Sequence, residues 1–189
     1  SEPLLAAPRM GIRGIVHVRE LIRHDDALLE IMGETPDEIV AGVWDSADLL
    51  IANSQATCAG FEDDGRLPVV VYNTADMDDL RALDAPGGPG PLRVAMISSN
   101  IPKKGVWDFC EVARALHADH PEVRFCLIGP HNEHTEQIAS RIHAGDLPPS
   151  IELLGYSSSP VEAIAQADVV LSLSTFQESF GRTVLEGMA

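Results

Sequence analysis

The chain is short of positive charge. Thirteen Lys and Arg stand against 29 Asp and Glu, a formal charge of −16. A surface that acidic repels nucleic acid and anionic lipid at long range, which argues against both as partners. Long hydrophobic runs are missing too, and none approaches the ~20 apolar residues needed to span a bilayer. The first residues show no basic stretch followed by an apolar one, the pattern of a signal peptide. Cysteine is scarce: Cys58, Cys110 and Cys126 are odd in number and widely spaced, which argues against a disulfide framework. They are expected to act as small buried hydrophobes in a reducing compartment. Metal-ligand patterns are thin. His131 and His134 have no Cys or further carboxylate at ligand spacing, so a solvated helix start is expected there.

What is present is apolar substance in regular order. Of the 189 residues 45% are hydrophobic and 22% charged, enough for one large core or two small ones. Residues 14–18 read as a short strand and 20–32 as a helix. Thr35-Pro36-Asp37-Glu38 has the make-up of a helix start: an N-cap, a proline at the first position and acids in the first turn. The apolar face of that helix is Ile39, Val40, Val43 and Trp44. A buried strand at 47–52 follows. Ser54 then caps a helix to about residue 61, and a strand at 68–72 ends in the turn 73–76. Six of the eight residues 84–91 are Pro or Gly, which marks a linker. The expected domains are therefore 1–83 and 92–189.

Beyond the linker, strands and helices alternate. Strands are expected at 93–97, 123–128, 151–154 and 169–173. Helices are expected at 105–117, 134–144, 160–166 and from about Gly181 onward. Val106, Phe109, Cys110, Ala113, Leu116 and His117 form one apolar helical face. Such alternation means an α/β fold with a parallel, doubly wound sheet. Its ligand crevice lies beyond the carboxyl ends of the strands, where Ser98, Gly129, Gly155 and Ser174 fall.

Chemistry concentrates in the last sixteen residues, from Ser174 to Ala189. Glu178 stands before the last helix and Glu186 inside it, with seven residues between them. A helix start offers unpaired N–H groups and a partial positive charge to an anion such as a diphosphate. Gly181 has no side chain to obstruct a phosphate. One acid for each end of the ligand suits a nucleotide-sugar, although acids at a helix start are also common as plain solvated charges.

Glu178-Ser179-Phe180-Gly181, then Glu186-Gly187-Met188-Ala189, after the strand Ala167-Asp168-Val169-Val170-Leu171-Ser172-Leu173-Ser174, resembles a known signature. It is similar to the donor site of retaining glycosyltransferases of the GT-B fold, family 4. The resemblance is strongest over 92–189 and weaker over 14–78. It implies two Rossmann-like domains, both incomplete here, and metal-independent transfer of a sugar from a nucleoside-diphosphate sugar. The acceptor would be a glycan, a lipid or a small molecule. Glu178 would be the catalytic residue, orienting the hexose hydroxyls. Ser99, Lys104, Phe180, Gly181, Arg182 and Glu186 would bind the donor, Glu186 at the ribose.

Ser98-Ser99-Asn100-Ile101-Pro102-Lys103-Lys104-Gly105 resembles the family's Gly-Arg-Leu-x-Pro-x-Lys-Gly loop. Lys104 matches its Lys; its Arg position falls on Ser99. A hydroxyl gives one neutral bond where a guanidinium gives two charged ones. Either Lys103 or Arg182 supplies the missing charge, or donor affinity is low. Gly129-Pro130 and Gly155-Tyr156 resemble loops near the base, but as turn residues they need no functional explanation. Residues 47–54 and 71–76 resemble interdomain segments. His17 and Glu20 are candidates from the acceptor side.

Asp76-Met77-Asp78 spells Asp-x-Asp, a metal-diphosphate motif in another glycosyltransferase fold. No companion ligands accompany it, so no metal is expected. Residue 1 is Ser, and no stop signal follows the last helix. A fragment of a longer chain is therefore expected, inactive alone, and cytoplasmic or at the membrane periphery through other parts. A sugar-nucleotide epimerase of the same architecture and a non-catalytic nucleotide-sugar-binding domain are the alternatives.

Overall fold

A computed structural model describes residues 10–75, 77–81 and 90–189. Residues 1–9, Asp76 of the Asp-x-Asp string and most of the 84–91 linker lie outside the described residues. The described chain forms two compact units. One holds residues up to Thr74 together with Phe176–Gly181; the other holds those within Ala75–Thr175 together with Arg182–Ala189.

The first unit is a parallel sheet with helices packed on it. Its strands β1 (Ile15–Val18), β2 (Leu49–Ala52) and β3 (Val69–Val70) lie in the order β1-β2-β3. Its helices are α1 (Asp26–Met32), α2 (Pro36–Ser46) and α3 (Gln55–Gly60). Val18, Ile22, Ile39, Val40, Leu50, Ala52, Cys58 and Phe61 form the core. The α2 start matches its sequence: Thr35 Oγ1 accepts from Glu38 N–H and the Glu38 carboxylate accepts from Thr35 N–H. This reciprocal box satisfies two of the orphan donors of a helix end. Ser54 caps α3 by accepting from Thr57 N–H.

The expected single helix over 20–32 is instead two pieces, a 3-10 turn at Ile22–His24 and then α1. Asp25 separates them. Its carboxylate accepts from Leu28 N–H, which starts a new helix instead of prolonging the old one.

The second unit opens with a short helix α4 (Met77–Arg81). Its strands are β4 (Arg93–Ile97), β5 (Arg124–Ile128), β6 (Ile151–Gly155) and β7 (Val169–Val170). All pair in parallel, in the order β6-β5-β4-β7. Helices α5 (Val106–His117), α6 (Glu133–Ala144), α7 (Pro160–Ile164) and α8 (Arg182–Gly187) complete it. The central strands β4 and β5 are buried on both faces. Val94, Met96, Phe125 and Leu127 belong to the larger core with Val106, Phe109 and Ile138. Ala95, Cys126 and Ile128 pack on the other side with Ala163 of α7. Alternating side chains thus serve two helical layers, which is why these strands read as continuous apolar runs.

All three cysteines are buried and unbridged, as expected. Two details differ from expectation. Leu116 on the α5 face is 40% exposed, because it lies in the helix's last turn beyond the core. Regular pairing of the last strand stops at Val170, although Leu171 N–H still donates to Ala95 O at 2.8 Å.

Candidate functional site

The strand order decides where a ligand can sit. The chain starts the second sheet at β4, adds β5 and β6 on one side, then returns to place β7 on the other. The switch point is between β4 and β7. In open parallel sheets the ligand crevice opens there, beyond the carboxyl ends of the strands. The segments that leave β4 and β7 at this point are the two that the sequence pattern singled out.

They are joined. Thr175 N–H donates to Lys103 O at 3.0 Å and Thr175 Oγ1 donates to the same oxygen at 3.3 Å. Gly105 closes the junction with φ of +82°. A Cβ there would stand 2.1 Å from Leu173 O, so only glycine lets the two segments approach. Between them Pro102–Lys104 forms one 3-10 turn carrying both ammonium groups. Lys103 is exposed and Lys104 half-buried; Ser99, in the family's Arg position, is half-buried upstream.

The strand-end turns confirm the structural reading of their glycines. A Cβ on Gly129 would lie 1.9 Å from Ser98 O. Gly155 has φ of +79°, and Tyr156 after it is 74% exposed.

Within α8, Arg182 Nε donates to Glu186 Oε1 at 2.6 Å. The Glu186 side chain is 8% exposed and that of Arg182 is 54% exposed. The two were expected to act separately, Glu186 at a ribose and Arg182 in place of the absent loop arginine. In the structure the guanidinium already has a carboxylate on it. Their spacing of four residues could have signalled this pair. Gly181 precedes the helix with φ of +75° and open space where a Cβ would be. The helix spans six residues, so its end carries less charge than that of a long helix.

The turn before α8 belongs to the first unit. Ser179 Oγ accepts from Asn53 Nδ2 at 3.3 Å, and Asn53 Oδ1 accepts from Thr57 Oγ1 at 2.7 Å. Asn53 is 1% exposed, so this polar chain is internal and its members are mutually satisfied. The Phe180 ring lies 6.4 Å from that of Tyr72, tilted by 43°. Glu178 is half-buried in the same stretch, whereas His17 and Glu20 are exposed. No periodicity in the sequence announces the Asn53 contact.

Among the described residues, no group of three or more His, Cys, Asp or Glu is placed to hold a metal ion. His131 is exposed beside Glu136, as expected. His134 is not solvated as expected: its side chain is 20% exposed and its ring stands edge-on to Trp107, centroids 6.3 Å apart. No helix among the described residues is long and apolar enough to cross a membrane.

The α/β fold with its two parallel sheets is that of a GT-B glycosyltransferase. The model of the glycosyl transferases group 1 family matches residues 87–189, more than half of the chain. The chain belongs to that family. No curated protein matches its sequence.

Several solved structures share the fold. HepE from Anabaena, in complex with UDP and glucose, superposes with a TM-score of 0.70 at 22% identity. That match covers 98% of this chain and 53% of HepE. A mutant of TarM from S. aureus, in complex with fondaparinux, α-GlcNAc-glycerol and UDP, gives 0.72 at 19% identity, over 98% of this chain and 38% of TarM. The pneumococcal O-GlcNAc transferase GtfA, in complex with UDP and GlcNAc, gives 0.63 at 20%, over 94% of this chain and 36% of GtfA. The chain thus spans about half the length of HepE and a little over a third of the other two.

Proposed function

We propose that this chain carries the donor site of a retaining, family 4 hexosyltransferase that takes its sugar from a nucleoside-diphosphate sugar. The acceptor class is a glycan, a lipid-linked sugar or a small molecule. The observation that supports this most is the tie between Thr175 and Lys103 across the switch point, inside the segment that matches the family. It puts a lysine-bearing turn where a parallel sheet of this topology receives a ligand.

Departure of the diphosphate builds negative charge on its oxygens and positive charge on the sugar ring. Lys104 and backbone N–H groups at Gly181 and Arg182 would stabilise the first. Ser99 would give a hydroxyl bond to phosphate. Glu178 would orient the hexose hydroxyls near the second charge, Phe180 would line the donor and Glu186 would meet the ribose. No metal takes part in this reading. The domain boundary is placed within 84–91, and the setting is cytoplasmic. The UDP complexes of HepE, TarM and GtfA make uracil the first base to try.

Calorimetry with UDP, GDP and ADP and their hexose conjugates tests the donor site. Binding of at least one pair is expected; silence from all of them would remove the proposal. Anomeric analysis of the product tests retention.

A non-catalytic nucleotide-sugar-binding domain is the second reading. It is favoured by Ser99 in the arginine position together with Arg182 already engaged by Glu186. Donor binding without transfer or hydrolysis, with candidate acceptors supplied, would select it. Isomerisation of the sugar without acceptor would point instead to the epimerase.

A further inference from the structure

We propose that Asn132 is a positioning residue for the phosphate-facing loop, a role that rests on the donor-site reading above. Asn132 is the N-cap of α6, on the segment that leaves β5. Its side-chain oxygen accepts from His134 N–H at 3.0 Å and Thr135 N–H at 3.1 Å. Its amide nitrogen points the other way, donating to Ser99 O at 3.0 Å and Asn100 O at 3.3 Å. The partners assign the amide's orientation. A flipped side chain would set NH2 against two N–H groups and an oxygen against two carbonyls.

Ser, Thr and Asp cap helices about as well as Asn. Among these four, only Asn adds an NH2 group able to serve two carbonyls while its oxygen caps. The cap alone therefore does not explain asparagine here; the loop does. That loop also needs holding. Asn100 has φ of +55°, a conformation few residues other than glycine adopt. Its own side chain is 1% exposed, and its Oδ1 has no hydrogen-bond partner. Lys104 N–H donates to Ile101 O at 2.9 Å, so the lysine turn begins directly after the carbonyls that Asn132 grips. Thr175 grips the turn's other end through Lys103 O. Two clamps, one from each neighbouring segment, thus hold the backbone of the turn that carries both lysines.

The α6 start is itself well satisfied. Asn132 N–H donates to Thr135 Oγ1 at 2.9 Å, and Thr135 Oγ1 donates to Asn132 O at 2.7 Å. A variant that keeps a capping oxygen therefore keeps the helix and removes only the grip on the loop. Asn132→Ser and Asn132→Thr, made in the intact protein, both meet this condition. If Asn132→Ser fails to fold, Asn132→Thr, which also presents a capping hydroxyl, carries the test.

Hydrogen exchange is read at amides 98–104 and 133–136, and calorimetry is run with UDP and with uridine. Faster exchange at 98–104 and unchanged exchange at 133–136 are expected. UDP affinity should fall about tenfold, the scale of a misplaced charge-assisted bond, with uridine affinity unchanged. Unchanged exchange at 98–104 would overturn the clamp. So would a looser loop with unaltered UDP affinity, or equal losses for UDP and uridine. A wild-type protein that binds neither UDP, GDP nor ADP would instead sink the donor-site reading, and exchange alone would then decide whether Asn132 holds the loop.

Discussion

Arg182 and Glu186 stand one turn apart on α8, and the guanidinium holds a nearly buried carboxylate at 2.6 Å. The pair is lopsided, because the acid is enclosed and the base reaches solvent. Removing the base strands a charge inside the protein; removing the acid leaves a cation that water can serve. Arg182→Ala should therefore destabilise by about 1–3 kcal/mol and Glu186→Gln by less. Denaturant unfolding of both singles and the double variant measures the coupling. Equal effects would mean the enclosure of Glu186 is not energetically significant.

Glu178→Gln probes the chemistry. The amide keeps size and one acceptor but loses the charge that would face the forming sugar cation. Donor affinity should change less than threefold while kcat falls about a hundredfold or more, as for loss of one transition-state charge contact. Unchanged turnover would remove Glu178 from the mechanism.

Lys104→Met probes the diphosphate. UDP affinity should fall about tenfold, and its dependence on salt should flatten, because an ammonium no longer faces the phosphates. The proposed transfer should also survive addition of EDTA. Loss of activity restored by a divalent cation would contradict the metal-free reading.

Gly105 and Gly181 share a left-handed conformation and differ in surroundings. A Cβ on Gly181 meets nothing within 4 Å, so Gly181→Ala should cost only the conformational strain, about 1 kcal/mol. A Cβ on Gly105 would stand 2.1 Å from Leu173 O and 2.6 Å from Leu173 Cβ. Gly105→Ala should cost about 3 kcal/mol or more and loosen the Thr175 contact. Similar unfolding midpoints for the two variants would refute the tight junction.

Cys110 lies in the α5 core, and burial pushes its thiol up to about 11, with Arg141 opposing. The thiolate is the reactive form, so native Cys110 should resist iodoacetamide at pH 8 and react once unfolded. The sign for stability follows. Between the ordinary value of 9.0 and about 11 the unfolded chain has lost the proton that the folded chain keeps. Stability from this group is complete below the lower value and falls as pH rises through the window. Cys110→Ala should remove that part of the alkaline decline.

Much of the fold was legible because it is coded over short distances. Thr35 and Glu38 meet three residues apart, and Ser54 and Thr57 do the same; any chain with those residues there tends to form those caps. Asn132 and Thr135 follow the same rule and could have moved the α6 start back from His134. The division of 20–32 at Asp25 was less legible, since the apolar spacing continues across it while one carboxylate decides for a new start.

The site was legible in its parts. Glycines, lysines and acids fall at the strand ends, where a parallel sheet receives its ligand. The contacts that join those parts were not. Lys103 and Thr175 are 72 residues apart, and Asn53 and Ser179 are 126 apart.

The amino-acid order by itself determined the alternating elements, their caps and the family signature, because hydrophobic period and hydrogen-bonding reach are properties of near neighbours. Only the tertiary structure decided that β7 lies beside β4, that Thr175 and Asn132 hold the lysine turn from two sides, and that Glu186 is enclosed against Arg182. Those outcomes depend on where the returning chain packs, and burial and closeness exist only after it has done so.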